Sequence, residues 1–104
     1  MLAATSCGYH EYVELQAYAE HVELVKEEAP PRCRLLGDVY GTGTTRSPEW
    51  SLRGAKNQIR NRAAARGANL VVLDTMSTFA TQVTLSGRAY RCRPVPAQES
   101  ARPE

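Results

Sequence analysis

The chain has 104 residues, a hydrophobic fraction of 42%, a charged fraction of 23% and a formal net charge of +2. These values fit one globular domain, the charge is too small to point to a nucleic-acid binder, and no apolar run nears the ~20 residues of a membrane-spanning helix. Three cysteines, Cys7, Cys33 and Cys92, with no C-x-x-C pair exclude zinc-ribbon and thioredoxin-type sites.

At the start, the small residues Ala3, Ala4, Thr5 and Ser6 lead into Cys7, and Gly8 follows. This is the order found where a bacterial lipoprotein signal ends at a cysteine that takes the lipid. A signal also needs a basic and an apolar region ahead of the cleavage site, and only Met1 and Leu2 stand there. Two readings of Cys7 stay open on these residues: a lipid-bearing cysteine and an ordinary one. Residues 1–19 are expected to be a signal remnant and tether, with helical propensity over 8–18.

The alternation in "EHVELVK" sets Val22 and Leu24 against Glu23 and predicts a strand over 20–27, ended by Pro30 and Pro31. "CRLLGDVY" predicts a second strand over 33–40, with Leu35 and Val39 on one face and Leu36 and Tyr40 on the other. Gly37 inside it marks a bulge or a close backbone approach. "GTGTTR" reads as a mobile loop. Although glycine-rich and followed by a helix, it lacks the G-K-[ST] ending of a phosphate-binding loop.

The helix over 48–66 has the clearest signals. Ser47 is the N-cap, Pro48 the first helical residue, Glu49 complements the dipole, and Gly67 supplies the left-handed C-cap. Leu52, Ala55, Ile59 and Ala63 form its apolar stripe. "NLVVLDT" is a buried strand, giving a strand–helix–strand unit for which a right-handed crossover is preferred. A loop through "MSTFAT" leads to a last strand ending at Cys92, with a bulge expected at Gly87. Residues 94–104 are Pro-rich and polar and read as a disordered tail. The expected fold is α+β: one domain over 20–93, about four strands in a mixed sheet with one main helix on one face, in the order β-β-α-β-β.

Cys33 opens one strand and Cys92 closes another. If those strands are antiparallel neighbours, the two cysteines lie within disulfide range. Closing a loop of about 60 residues would then stabilise the fold by roughly 4 kcal/mol. The alternative is a pair of reduced cysteines near strand ends. Pairing would leave Cys7 as the odd cysteine, and both readings require export.

No catalytic set emerges, so no enzymatic activity and no cofactor are expected. His10 and His21 read as solvated. Glu20, His21 and Glu23 do not share one strand face, which disfavours a metal site. Asp38 and Asp74 are expected to cap loops or pair with arginines. On the helix, Arg53, Lys56 and Arg60 recur at helical spacing, with Asn57, Asn61, Arg62 and Arg66 among them and Trp50 at the start. This face reads as solvated or, functionally, as a surface for an anionic partner: lipopolysaccharide phosphates or an acidic envelope protein outside the cytosol, RNA or DNA inside it. Trp50 covers the core edge or anchors that partner. Nucleic-acid binding is the weaker alternative, since the interleaved aromatics of a single-strand-binding sheet are missing.

"CRLLGDVYG", "GAKNQIRNRAAARGANLVVLDT" and "GRAYRC" together resemble a group of small, mostly uncharacterised bacterial lipoproteins. The shared features are Cys33, Leu36-Gly37-Asp38-Val39, Gly67-Ala68-Asn69 and Cys92. The layout is similar to that of RcsF, the outer-membrane stress-sensor lipoprotein, which has a second disulfide that this chain cannot form. The resemblance implies a lipid on Cys7, a disulfide between Cys33 and Cys92, and a non-enzymatic binding or sensor/adaptor module facing the periplasm from the outer membrane.

Overall fold

The computed structural model describes residues 12–94. In chain order it contains a 3-10 turn at Ala17–Ala19, β1 (Glu23–Val25), β2 (Cys33–Thr44), α1 (Pro48–Ala65), β3 (Leu70–Phe79) and β4 (Gln82–Cys92). The four strands form one mixed sheet in the order β1-β3-β4-β2. β1 is parallel to β3, and β4 runs antiparallel to both β3 and β2. The expected α+β fold is therefore present. The strand–helix–strand unit is split, because β4 inserts between the parallel strands β2 and β3.

α1 forms where its caps predict. The Ser47 Oγ accepts from the Trp50 N–H at 3.3 Å. At the other end, the Ala68 N–H reaches the Ala63 carbonyl and the Gly67 N–H the Ala64 carbonyl. Gly67 has φ 89°, so this is the paired-bond helix stop that favours glycine. Ala55, Ile59 and Ala63 are fully buried against Val39, Val71, Val83, Leu85 and Ala89 of the sheet, with Leu52 packed at the margin.

Three expectations are corrected here. The stretch "GTGTT" is not a loop through its first four residues, because β2 runs on to Thr44. Its glycines serve closeness: a Cβ on Gly43 would lie 1.8 Å from the Ser51 carbonyl oxygen, and one on Gly41 2.4 Å from that of Ala55. "MSTF" likewise belongs to β3, which turns into β4 through Ala80 and Thr81, with Ala80 at φ 56°. That turn carries none of the usual Gly or Asn signals. The bulge expected at Gly87 lies on the facing strand, where the register shifts between Leu73 and Thr75. Gly87 instead allows close packing, since a Cβ there would sit 2.4 Å from the Val72 carbonyl oxygen.

Two smaller differences follow from local geometry. The first strand is confined to Glu23–Val25, because the Val22 N–H is taken by the Ala19 carbonyl in a turn. In β2 the register shifts between Leu35 and Gly37, so the expected face pairing is broken. Leu36 packs against the core, as Val39 does, and Leu35 is exposed.

β1 and β2 occupy opposite edges, so residues 26–32 must cross the sheet. They cross the face away from α1. There the register places Leu70 beside Tyr90 and Val72 beside Arg88. Glu27, Glu28, Pro30 and Arg32 share a cavity with Leu70. Leu70 and Val72 on this face are buried.

Candidate functional site

The outer face of α1 is expected to meet solvent or a partner. In the structure it meets the chain's own N-terminal segment. Asn57 Nδ2 donates to the Tyr12 hydroxyl and to the Val13 carbonyl, both at 2.9 Å. Asn61 Nδ2 donates to the Glu14 carbonyl at 3.0 Å, and its Oδ1 accepts from the Gln16 N–H at 2.9 Å. Residues 12–19, read from sequence as part of a tether, thus lie as a strap along the helix. Gly54 lies under the strap, where even a Cβ would make only ordinary contact with the Val13 nitrogen and the Tyr12 ring.

The four residues of the expected partner-binding face divide. Arg60 donates through Nε to the Val22 carbonyl and through Nη2 to the Glu20 carbonyl, each at 2.8 Å. It holds the turn between the strap and β1, and those donors are not available to a ligand. Trp50 is 48% exposed and does not fill the core. Its ring meets Tyr12 edge-on at 5.1 Å between centroids, and the Arg53 guanidinium stacks over it at 4.9 Å. Lys56 is exposed and faces a groove on the β1 side of the helix.

Arg62 and Arg66, read as part of the same face, have a different task. Along the free edge of β2, the Thr42 N–H donates to Gln58 Oε1 at 2.8 Å, the Tyr40 carbonyl accepts from Arg62 Nη1 at 3.1 Å, and the Asp38 carbonyl accepts from Arg66 Nη1. Residues two apart on the strand thus meet residues four apart on the helix. The spacings agree, since two strand residues span ~6.6 Å and four helical residues rise ~6 Å. Arg62 also lies over the Tyr40 ring at 4.7 Å. These contacts were not legible from sequence, although Gln58, Arg62 and Arg66 recur every fourth residue and Gly41 and Gly43 every second.

The other side of the sheet is open in part. β1 pairs only with Leu70–Val72, so among the described residues Asp74–Phe79 has β4 as its one strand neighbour. Beside this free edge runs a groove of ≈ 780 Å³, lined by Leu24, Leu52, Leu73, Met76 and Leu85, with Lys26 and Lys56 at its rim. Met76 and Phe79 are 59% and 81% exposed. A free strand edge offers unpaired N–H and C=O groups to an extended segment.

At the opposite end, Cys33 and Cys92 are direct cross-strand partners and form a disulfide, with a Cα separation of 3.8 Å. Asn69 fixes that end: its Oδ1 accepts from the Cys92 N–H at 2.8 Å, and its Nδ2 donates to the Cys92 carbonyl at 3.0 Å. Asp74 pairs with Arg88 at 3.1 Å. That hydrogen bond first, and the carboxylate charge second, hold the Arg88 guanidinium above its ordinary value. His21 is exposed. Among the described residues no three His, Cys, Asp or Glu side chains gather as metal ligands. Cys7, His10 and the tail from residue 95 lie outside the described residues.

Residues 13–92 match the model of a family described as a domain of unknown function, DUF4156. The match begins on the strap and ends at Cys92. The uncharacterized protein YjeI of Escherichia coli strain K12 is 31% identical over 96 residues, covering 76% of this chain and 79% of YjeI. The YjeI proteins of Escherichia coli O6:H1 and Shigella flexneri match to the same extent. No solved structure matches.

Proposed function

The chain belongs to the DUF4156 family, and we propose that it is a non-enzymatic lipoprotein of the bacterial cell envelope. In this reading a lipid on Cys7 holds it to the outer membrane. Residues 12–94 then form a periplasm-facing binding or sensor/adaptor module, similar in layout to RcsF. The observation that carries the reading is the Cys33–Cys92 disulfide. Disulfides of this structural kind persist in oxidising compartments and are rare in the cytosol. The cysteine left over lies only five positions before the first residue of the strap. An acyl anchor there would tether the module by a short segment, and two or more acyl chains give stable attachment.

The nucleic-acid alternative draws less support. It rested on Arg53, Lys56 and Arg60 acting together, and Arg60 is committed to backbone carbonyls.

The test is the mass of the mature product made from the native gene with its upstream reading frame intact, measured in membrane and soluble fractions before and after reduction. The expected species is membrane-bound, begins at Cys7, is heavier by acyl groups and gains two hydrogens when its one disulfide opens. A soluble species with three free thiols would overturn the reading.

A further inference from the structure

The disulfide joins two copies of one triplet. Arg32-Cys33-Arg34 lies against Arg91-Cys92-Arg93. Arg34 is the direct partner of Arg91, and the Arg93 N–H donates to the Arg32 carbonyl, so Arg32 lies opposite Arg93. Four exposed arginines are thereby gathered at one end of a domain whose whole chain carries a net charge of only +2. Like charges placed directly opposite across a strand pair repel. Among the described residues none of the four has a carboxylate within ion-pair distance. Glu27 and Glu28 do line the cavity that Arg32, Arg91 and Arg93 border, whereas Arg34 lies outside it.

The arginines are fixed rather than adaptable at the backbone. The disulfide and both bonds of Asn69 hold the two triplets in register. Arg91 Nη1 rests on the Gly67 carbonyl at 3.3 Å and Arg32 Nε on the Arg93 carbonyl at 3.1 Å. Each of these guanidinium groups keeps further N–H donors, and Arg34 keeps all of its own. Arg91 reaches the C-terminal end of α1, while Tyr12 touches its first turn at Trp50. At 1.5 Å per residue the two ends are ~25 Å apart. Tyr12, the first described residue, therefore lies at the end of α1 away from the arginines.

We propose that Arg32, Arg34, Arg91 and Arg93 form a binding site for phosphate groups, assembled by the Cys33–Cys92 disulfide. The guanidinium fork matches phosphate in two-point contact, and four neighbouring cations call for a group with more than the single charge of a carboxylate. The proposal names the ligand chemistry of the envelope module. It rests on that reading because disulfides such as the one that assembles the site persist in oxidising compartments and are rare in the cytosol.

The experiment uses the full chain carrying Cys7→Ala, so that no lipid contributes, purified with its disulfide intact. Flotation with phosphatidylglycerol vesicles is compared with phosphatidylcholine vesicles, and inorganic pyrophosphate is titrated separately. The expected result is binding to the anionic vesicles, to pyrophosphate or to both. Arg34→Gln with Arg91→Gln should weaken it about twenty-five-fold, at about fivefold per arginine. Arg53→Gln with Lys56→Gln, on the helix, should leave it unchanged. Vesicle binding that pyrophosphate does not compete points to a lipid headgroup, and pyrophosphate binding alone to a soluble phosphate. The single variant Arg34→Gln, which removes no contact within the described residues, guards against misreading a folding defect. Absence of binding to both probes, or binding that survives the paired Arg34 and Arg91 change, overturns the site. The envelope reading fails separately, through the mass of the mature product.

Discussion

The two long edges of the sheet are treated differently. Along β2, the helix extends Gln58, Arg62 and Arg66 to three backbone groups that would otherwise face an incoming strand. Along the upper half of β3, from Asp74 to Phe79, no strand among the described residues pairs with the outer edge. An exposed edge is a template for pairing, and proteins commonly blunt it with charge or cover. Here one helix covers one edge and leaves the other beside an apolar groove. The difference teaches that the helix polar face is structural for much of its length. Asn57 and Asn61 hold the strap, Arg60 holds the chain between the strap and β1, Gln58, Arg62 and Arg66 guard β2, and only Arg53 and Lys56 remain from the expected cationic face.

Opening the disulfide should have the largest effect on this arrangement. Cys33→Ser with Cys92→Ser should lower stability by ~4 kcal/mol in urea unfolding, since the bridge closes a separation of 59 residues. It ties the guarded strand to the centre of the sheet, so its loss should release β2 first, seen as early amide exchange there. An unchanged midpoint would mean that the strand pairing alone suffices.

Gly43→Ala tests how closely the helix must lie on the guarded strand. The added Cβ would overlap the Ser51 carbonyl oxygen, and overpacking against backbone should cost ~3 kcal/mol. Gly67→Ala is the contrast. Nothing lies within 4 Å of a Cβ there, but φ is 89°, so about 1 kcal/mol is expected from backbone conformation alone. Equal losses at the two sites would contradict the closeness argument.

Removing the guard should convert one edge into the other. Gln58→Ala, Arg62→Ala and Arg66→Ala together should cost about 1–2 kcal/mol, since the arginine bonds are solvent-exposed. Self-association by sedimentation velocity should rise. If the triple variant sediments as the parent does, the three side chains do not protect the edge. Met76→Lys is the smallest change. On the exposed β3 edge it should shift stability by less than ~0.5 kcal/mol, while lowering any association through that edge.

Much of this could be read in one dimension. The caps and apolar stripe fixed α1 because they are local, and β-branched residues marked Leu70–Val72 for the same reason. Gly41 and Gly43 misled, since glycine signals both flexibility and close contact, and only the approach of Ser51 and Ala55 separates the two. The Ala80–Thr81 turn was hidden because it lacks the usual residues. Of the expected site, the disulfide was legible as a conditional: it required Cys33 and Cys92 to be neighbours. The helix face was only half legible, because periodicity tells which residues share a face and not what covers it.

The amino-acid order by itself determined the element types, the helix limits and the presence of two cysteines at strand ends. Tertiary structure decided that β4 lies between β2 and β3, so that Cys33 meets Cys92 and the two Arg-Cys-Arg triplets face each other. It also decided that the strap and the β2 edge take up the helix polar side chains. The physical reason is range. Caps and periodicity act within a few residues, whereas a hydrogen bond from Asn61 to Glu14 or from Arg62 to Tyr40 spans 47 or 22 positions and exists only once the layers have packed.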